Sequence, residues 1–347
     1  MRPHKVSAPT STLMHKEAAE SANAVERLLT SQKKSLLELA DRLRKSEPEL
    51  IVTNARGSSD HASVFGKYVM MQRLGVPVLS ASPSLTSIYG RQLHLENALC
   101  ISVSQSGQSP DIVDTARAAS LSGARTVAFT NAPDSRLSRV SDNTIDLSAG
   151  PEESVAATKS FIASMAAYLA LLAHWRDPEL LSAVEALPVE LAHAANLDWS
   201  DALNVLRDCK GLFVIGRGPS LGIANEAALK FKETCQIHAE SFSSAECSHG
   251  PLAMVGPNFP ALVFVQNDEA RDGTIALCKR MIEMGAPVMT VGVQIRGAIC
   301  LPTLDLRAEL QPLIMIQSFY KMVADLAVMR GQNPDAPPAL KKVTETR

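Results

Sequence analysis

The chain has 347 residues, of which 46% are apolar and 20% charged, enough for about two globular domains with substantial cores. A formal net charge of −2 and an aromatic content of only 4% exclude a broad basic field or a base-stacking surface for nucleic acid. The six cysteines form no C-x-x-C pair, so neither a zinc site nor a disulfide framework is indicated.

The first residues are polar and lack the apolar core of a signal peptide. Over residues 13–43, Ala18, Val25, Leu28, Leu36, Leu39 and Leu43 recur at three- and four-residue spacing, which predicts a helical N-terminal segment over 1–45. Residues 50–55 form the first expected strand. It runs into Arg56-Gly57-Ser58-Ser59-Asp60, which opens a helix over 62–75. After a short strand at 76–79, the apolar run 98–103 reads as a buried strand followed by Ser104-Gln105-Ser106-Gly107-Gln108-Ser109. Ser109 is the expected N-cap and Pro110 the first helical residue. A strand, a hydroxyl-rich turn and a helix N-terminus make an anion site, since free N–H groups and the helix dipole both favour negative charge. Ser hydroxyls and a Gln amide add donors without adding charge, which suits a phosphate monoester that must later leave. A Ser-capped βα loop with no ligand is the competing interpretation of the same residues.

Further strands are expected at 125–130 and 144–147, then an apolar helix over 160–175. The longest apolar segment, 161–175, is too short to span a bilayer, and a cytoplasmic protein is expected with no membrane partner. The first domain is placed at 46–178 and a more polar helical connector at 179–207. The pattern then restarts over a second domain at 208–331, with strands at 211–216, 261–265, 287–291 and 298–301. This half also contains a helix over 222–234 and an amphipathic helix over 314–329. Residues 332–347 form an extended tail. Strand and helix alternate throughout, which favours parallel α/β sheets. The likeness of 52–59 to 214–220 suggests internal duplication. Neither glycine turn completes G-x-G-x-x-G, so a dinucleotide is not expected.

In the second half Glu226, Lys230 and Glu233 stand at i, i+4 and i+7 and share one helix face. A solvated salt-bridged stripe is the commoner source of this spacing. Here the stripe is flanked by Ala224, Leu229 and Phe231 and followed closely by His238, Glu240, Glu246 and His249. A carboxylate beside a Lys and a His is what proton transfer next to a carbonyl requires.

The segments 55–59, 104–109, 155–159, 226–233, 247–252 and 340–344 together resemble the sugar isomerase (SIS) double-domain family. That family includes the isomerase half of glucosamine-6-phosphate synthase. The resemblance implies two flavodoxin-like, three-layer αβα domains with parallel sheets, and a small-molecule phosphosugar as partner. By position it implies that Ser58, Ser59, Ser104, Gln105, Ser106 and Ser109 bind the phosphate and that Val155 and Ala157 contact the sugar. Ala157 stands where the synthase has a Ser. The resemblance makes Glu233 the base that moves a proton between C1 and C2, with Lys230 and Glu226 supporting the developing charge. It makes His249 a ring-opening group donated by the neighbouring subunit, hence a homodimer with a shared site. Lys342, next to Lys341, matches the tail lysine that reaches the carbonyl end of the sugar. No glutamine-hydrolysing domain is present in the sequence, whose first cysteine is Cys100, so the reverse chemistry is expected. That chemistry is hydrolytic, isomerising deamination of glucosamine 6-phosphate to fructose 6-phosphate and ammonia, with no metal or organic cofactor. The alternatives are galactosamine 6-phosphate or a fructosamine 6-phosphate as substrate, a plain isomerase, and a non-catalytic sugar-phosphate sensor.

Overall fold

In the computed structural model, residues 12–342 are described; Val343 and Thr344 of the tail motif lie outside them. Strands β1 (Leu50–Asn54), β2 (Val78–Ser80), β3 (Ala98–Ser104), β4 (Arg125–Thr130) and β5 (Asn143–Asp146) pair in parallel in the order β2-β1-β3-β4-β5. Strands β6 (Gly211–Gly216), β7 (His238–Ser243), β8 (Ala261–Phe264), β9 (Val288–Val291) and β10 (Ile299–Leu301) form a second parallel sheet, β10-β9-β8-β6-β7. Counted from the first strand of each half, both sheets have the order 2-1-3-4-5, the doubly wound flavodoxin arrangement. The duplication suggested by the two Gly-Ser turns is therefore a duplication of topology. β3 is buried at every position, as a strand covered by helices on both faces must be.

The helices of the first half are α1 (Leu13–Ala19), α2 (Ser21–Ser31), α3 (Lys33–Lys45), α4 (Ser58–Leu74), α5 (Pro83–Ser87), α6 (Pro110–Leu121), α7 (Arg136–Arg139) and α8 (Lys159–Trp175). Those that follow are α9 (Pro178–Ala194), α10 (Ser200–Leu206), α11 (Ser220–Cys235), α12 (Ser244–Cys247), α13 (Arg271–Glu283) and α14 (Gln311–Met329). The N-terminal helical pattern breaks at Glu20 and Gln32 into three helices. The tail reaches back to the first of them, with Asp335 accepting hydrogen bonds from the N–H groups of Leu13 and Met14 at 2.8 and 2.7 Å.

Three expectations need correction. The polar connector is a packed layer: α9 buries Leu180, Val184, Leu187 and Leu191 against α2, α8 and α14. The helix expected to be amphipathic, α14, is buried on nearly all sides because elements of both halves surround it. It, and not the 161–175 segment, is the helix among the described residues that is long and apolar enough to cross a membrane, but 78% of its most apolar window lies inside the protein. The segment bearing His238 and Glu240, read only as a polar cluster, is the edge strand β7.

The two halves meet where α4 crosses α11. Gly222 makes that crossing possible, since a Cβ there would lie 2.8 Å from both His61 O and Phe65 N. Both obstacles are backbone-proximal atoms that cannot swing away. Gly222→Ala is expected to push the helices apart at a cost of about 1–3 kcal/mol, read as a lower urea midpoint.

Candidate active site

In a doubly wound sheet, a crevice opens at the carboxyl ends of the two strands where the order reverses, because the following connections leave on opposite sides. In the first half those strands are β1 and β3. The loops that follow them carry residues 55–59 and 104–109, so two segments far apart in sequence face one crevice. α4 starts at Ser58 and α6 at Pro110, and no side chain caps either helix at its N-cap residue. Ile112 N in the first turn of α6 donates to Asp111 Oδ1 at 2.9 Å, and the uncapped N-termini otherwise keep the polarity that favours an anion. Gly107 has φ +60°, and a Cβ there would meet Ser135 Oγ at 2.2 Å, so glycine is required at this turn. The turn is pinned by Gly107 N donating to Ser104 Oγ at 3.1 Å and Leu137 N donating to Gly107 O at 3.0 Å.

The crevice is a pocket of about 340 Å³. One part of its wall is Ser58, Ser59, Ser104, Gln105, Ser106 and Ser109; another is Val155 and Ala157, and a third is Lys230 and Glu233 from α11. The tail residues Leu340, Lys341 and Lys342 complete it. Arg56 also lines it, its Nε 3.0 Å from the fully buried Asp111 carboxylate.

The α11 stripe is no solvated face. Glu226 and Lys230 side chains are 0% and 1% exposed, and Glu233 is 21% exposed where it reaches the pocket. Lys230 Nζ lies 2.5 Å from Glu233 Oε2, 3.3 Å from Glu226 Oε1 and 3.2 Å from Ser58 Oγ. Glu226 is not on the pocket wall but beneath it, accepting from Ser58 at 3.2 Å, Tyr320 OH at 3.2 Å and His61 Nδ1 at 3.1 Å. Burial pushes the Glu226 carboxyl up, but Lys230, His61 and Ser58 outweigh it and hold the group below its ordinary 4.5. Burial pushes Lys230 down, and Glu226 and Glu233 together raise it above 10.5. Tyr320 is driven well above 10.0 by burial and by Glu226, so it stays a phenol donor.

Of the two tail lysines, Lys342 is the one anchored inward. Its Nζ donates to Glu152 Oε2 at 3.0 Å and to Ser154 O at 2.7 Å, while Lys341 is exposed. Glu152 is fully buried and also accepts from Ser160 Oγ, Ser160 N and Thr158 N at 2.7, 3.1 and 3.0 Å. Burial works against its charge, but Lys342 and these donors hold it below 4.5.

His249 is not brought to this pocket within its own chain. It sits exposed on the turn after α12, because α11 leads into edge strand β7 and the chain continues outward from there. His238, Glu240 and Glu246 are exposed too and line no part of the pocket. The sequence alone did not single out His61, Tyr320, Glu152 or Arg56. His61 stands three residues after Ser58 on one face of α4, a spacing that could have flagged it. Tyr320 and Glu152 had no such signal. Among the described residues no group of three or more His, Cys, Asp or Glu is placed to hold a metal ion. A larger cleft of about 560 Å³ opens in the second half beside Arg271 and Asp305, without the buried Glu–Lys cluster that underlies the smaller one.

A doubly wound α/β protein with a hydroxyl-lined crevice and an acid–lysine pair in the same pocket is the class that this fold and site define. The chain belongs to the SIS domain family, whose description matches residues 44–174 and 205–292. It is 31% identical over 347 residues to the glutamine--fructose-6-phosphate aminotransferase [isomerizing] of Methanothermobacter thermautotrophicus, across 95% of this chain and 56% of that protein. The chain thus spans about half the length of such relatives. Among solved structures, a Silicibacter pomeroyi DSS-3 protein named provisionally as a phosphosugar isomerase is 44% identical with a TM-score of 0.90, covering 93% of this chain and 100% of that one. The C-terminal domain of glucosamine-fructose-6-phosphate aminotransferase from Francisella tularensis is 25% identical with a TM-score of 0.82, over 94% of this chain and 99% of that one.

Two outcomes follow from the buried charges. Lys230→Met leaves Glu226 buried without its counter-ion and should cost about 3–5 kcal/mol in urea denaturation. Glu226 and Glu152, both held below 4.5, contribute stability that is complete above that value and is lost as pH falls through their lower folded values. Lys230, held above 10.5, contributes fully below that value and less as pH rises past its folded value. The urea midpoint should therefore be flat through neutral pH and fall in acid, with a shallower acid limb in Glu226→Gln.

Proposed function

We propose that the chain catalyses hydrolytic, isomerising deamination of glucosamine 6-phosphate to fructose 6-phosphate and ammonia. The observation that carries this is Glu233, the one acid on the pocket wall among the described residues, in the same pocket as the Ser104–Ser109 loop and 2.5 Å from the Lys230 ammonium. A partly exposed carboxylate beside a fixed cation can take a carbon-bound proton while the cation and donors hold the resulting charge. The phosphate is held by Ser58, Ser59, Ser104, Gln105, Ser106 and Ser109 and by the two helix N-termini. Their neutral donors fix the substrate without a strong ion pair that would retain product.

In this reading His249 of a second copy helps open the sugar ring, and Glu233 removes the proton from C2 of the open-chain amino aldose. Lys230, 2.5 Å from Glu233, is the cation that holds the charge developing on the enolate oxygen at C1. Glu233 returns the carbon-bound proton to C1, and the amine gives up one proton as the C1 oxygen takes one, which leaves a C1 hydroxyl and an imine at C2. Water adds to that imine and ammonia leaves, giving the ketose. Lys342, anchored on Glu152, supplies a cation from the tail side of the pocket. Glu226 touches no substrate; it holds Lys230. The protein acts as a homodimer with a site completed across the interface, and no metal or organic cofactor enters any step.

The test is ammonia release from glucosamine 6-phosphate, with galactosamine 6-phosphate alongside. Ammonia and fructose 6-phosphate from the gluco sugar, lost in Glu233→Gln, support the proposal. Turnover of the galacto sugar alone changes the substrate, and ammonia from neither rejects deamination. Ser106→Ala should raise KM with little change in kcat. Mixed, refolded Glu233→Gln and His249→Ala chains should regain activity that neither has alone; failure to do so rejects the shared site.

A further inference from the structure

Both oxygens of Glu226 are committed, although the residue lies beneath the pocket. Oε1 takes hydrogen bonds from Ser58 and Tyr320 and forms an ion pair with Lys230. Oε2 has His61 Nδ1, at 3.1 Å, as its partner among the described residues. The tautomer that suits a carboxylate acceptor carries its proton on Nδ1. His61 and Ser58 stand on one face of α4 in the first half, Glu226 and Lys230 on α11 in the second, and Tyr320 on α14. His61 does not line the pocket, and its side chain is 20% exposed.

We propose that His61 is a positioning residue of the proton-transfer site, acting through Glu226 on Lys230 and through Lys230 on Glu233. A glutamate side chain has three rotatable bonds, and three donors crowded on one oxygen leave its plane free to turn. The bond to Oε2 removes that freedom. It also satisfies a buried lone pair whose loss would leave charge uncompensated. With the carboxylate fixed, the Lys230 ammonium is held between Glu226 at 3.3 Å and Glu233 at 2.5 Å. Released, Glu226 attracts Lys230 less well, and the ammonium shifts its weight towards Glu233. The base then changes both its aim and its availability. The charged groups that act on His61 directly are Asp60 on α4 and Glu226 on α11, and Lys230 and Tyr320 reach it only through Glu226. The contact spans the crossing made close by Gly222, so the same bond sets how the two halves present their parts of the site.

This inference rests on the proton-transfer reading above, and the experiment separates the two. Exchange of the C2 proton of glucosamine 6-phosphate into deuterium oxide is followed by NMR, together with kcat, KM and inhibition by inorganic phosphate. The proteins are the unsubstituted chain, His61→Ala, His61→Asn and Tyr320→Phe, with thermal unfolding recorded for each. His61→Ala should lower exchange and kcat together by about 10- to 100-fold, with KM and phosphate inhibition unchanged. His61→Asn, whose amide can donate to Oε2, should recover most of the loss, and this variant with Tyr320→Phe carries the test if His61→Ala does not fold. Tyr320→Phe should lower exchange less than His61→Ala, because Oε1 keeps two donors. Unchanged exchange in folded His61→Ala, a loss confined to KM, or a loss that His61→Asn does not relieve overturns the inference while leaving the reaction standing. Absence of both exchange and ammonia in the unsubstituted protein overturns the reaction and the inference together.

Discussion

Everything at the site depends on a carboxylate and an ammonium kept almost wholly out of water, Glu226 and Lys230. Such a pair survives only when each charge has further partners, because desolvation of two ions commonly exceeds their attraction. Here the partners come from three helices and both halves of the molecule: Ser58 and His61 on α4, Glu233 on α11 and Tyr320 on α14. The duplication of a simple parallel sheet therefore does more than double the chain. It sets two layers against one another so that Glu226 and Lys230 of one find further partners, Ser58 and His61, in the other.

A common rule runs round the pocket. Three of its cations are each backed by a fully buried carboxylate on a different element: Arg56 by Asp111, Lys230 by Glu226 and Lys342 by Glu152. Lys341 has no such partner among the described residues. The pairing fixes where positive charge stands while keeping the net field modest. Under the proposed function, a phosphorylated ligand is oriented by hydroxyls and N–H groups rather than trapped by bare cations. Burial makes the Glu226 and Glu152 carboxylates reluctant to ionise, and their lysine partners and hydrogen-bond donors outweigh it, holding both below the ordinary carboxylate range.

Much of this was legible in the sequence wherever the signal was local. Runs such as 98–104 and 211–216 declare buried parallel strands, and a Ser-rich turn before Pro110 declares a helix N-terminus. The i, i+4, i+7 set on α11 placed three ionisable groups on one face, though periodicity cannot say whether that face meets water or another helix. It failed where the outcome depends on what packs opposite. α14 looks one-sided in sequence and is buried on nearly all sides because two layers enclose it. His238 and Glu240 sit close to Glu233 in sequence, yet β7 carries them to the outer edge. Glu152 and Tyr320 join the site from regions with no polar pattern of their own, so only the folded chain reveals them.

The bond between Asp335 and the start of α1 has a consequence for how the molecule comes into being. The two partners are 322 residues apart, and the backbone carbonyl of the same residue accepts a hydrogen bond from Val155 N on the pocket wall. During synthesis α1 emerges long before the residue that caps it, and the 151–158 loop waits equally long for its brace. Closing so large a loop is entropically expensive and belongs to a late stage of folding. A nascent chain can therefore pair the strands of both sheets before Asp335 is available to brace the 151–158 loop and the start of α1.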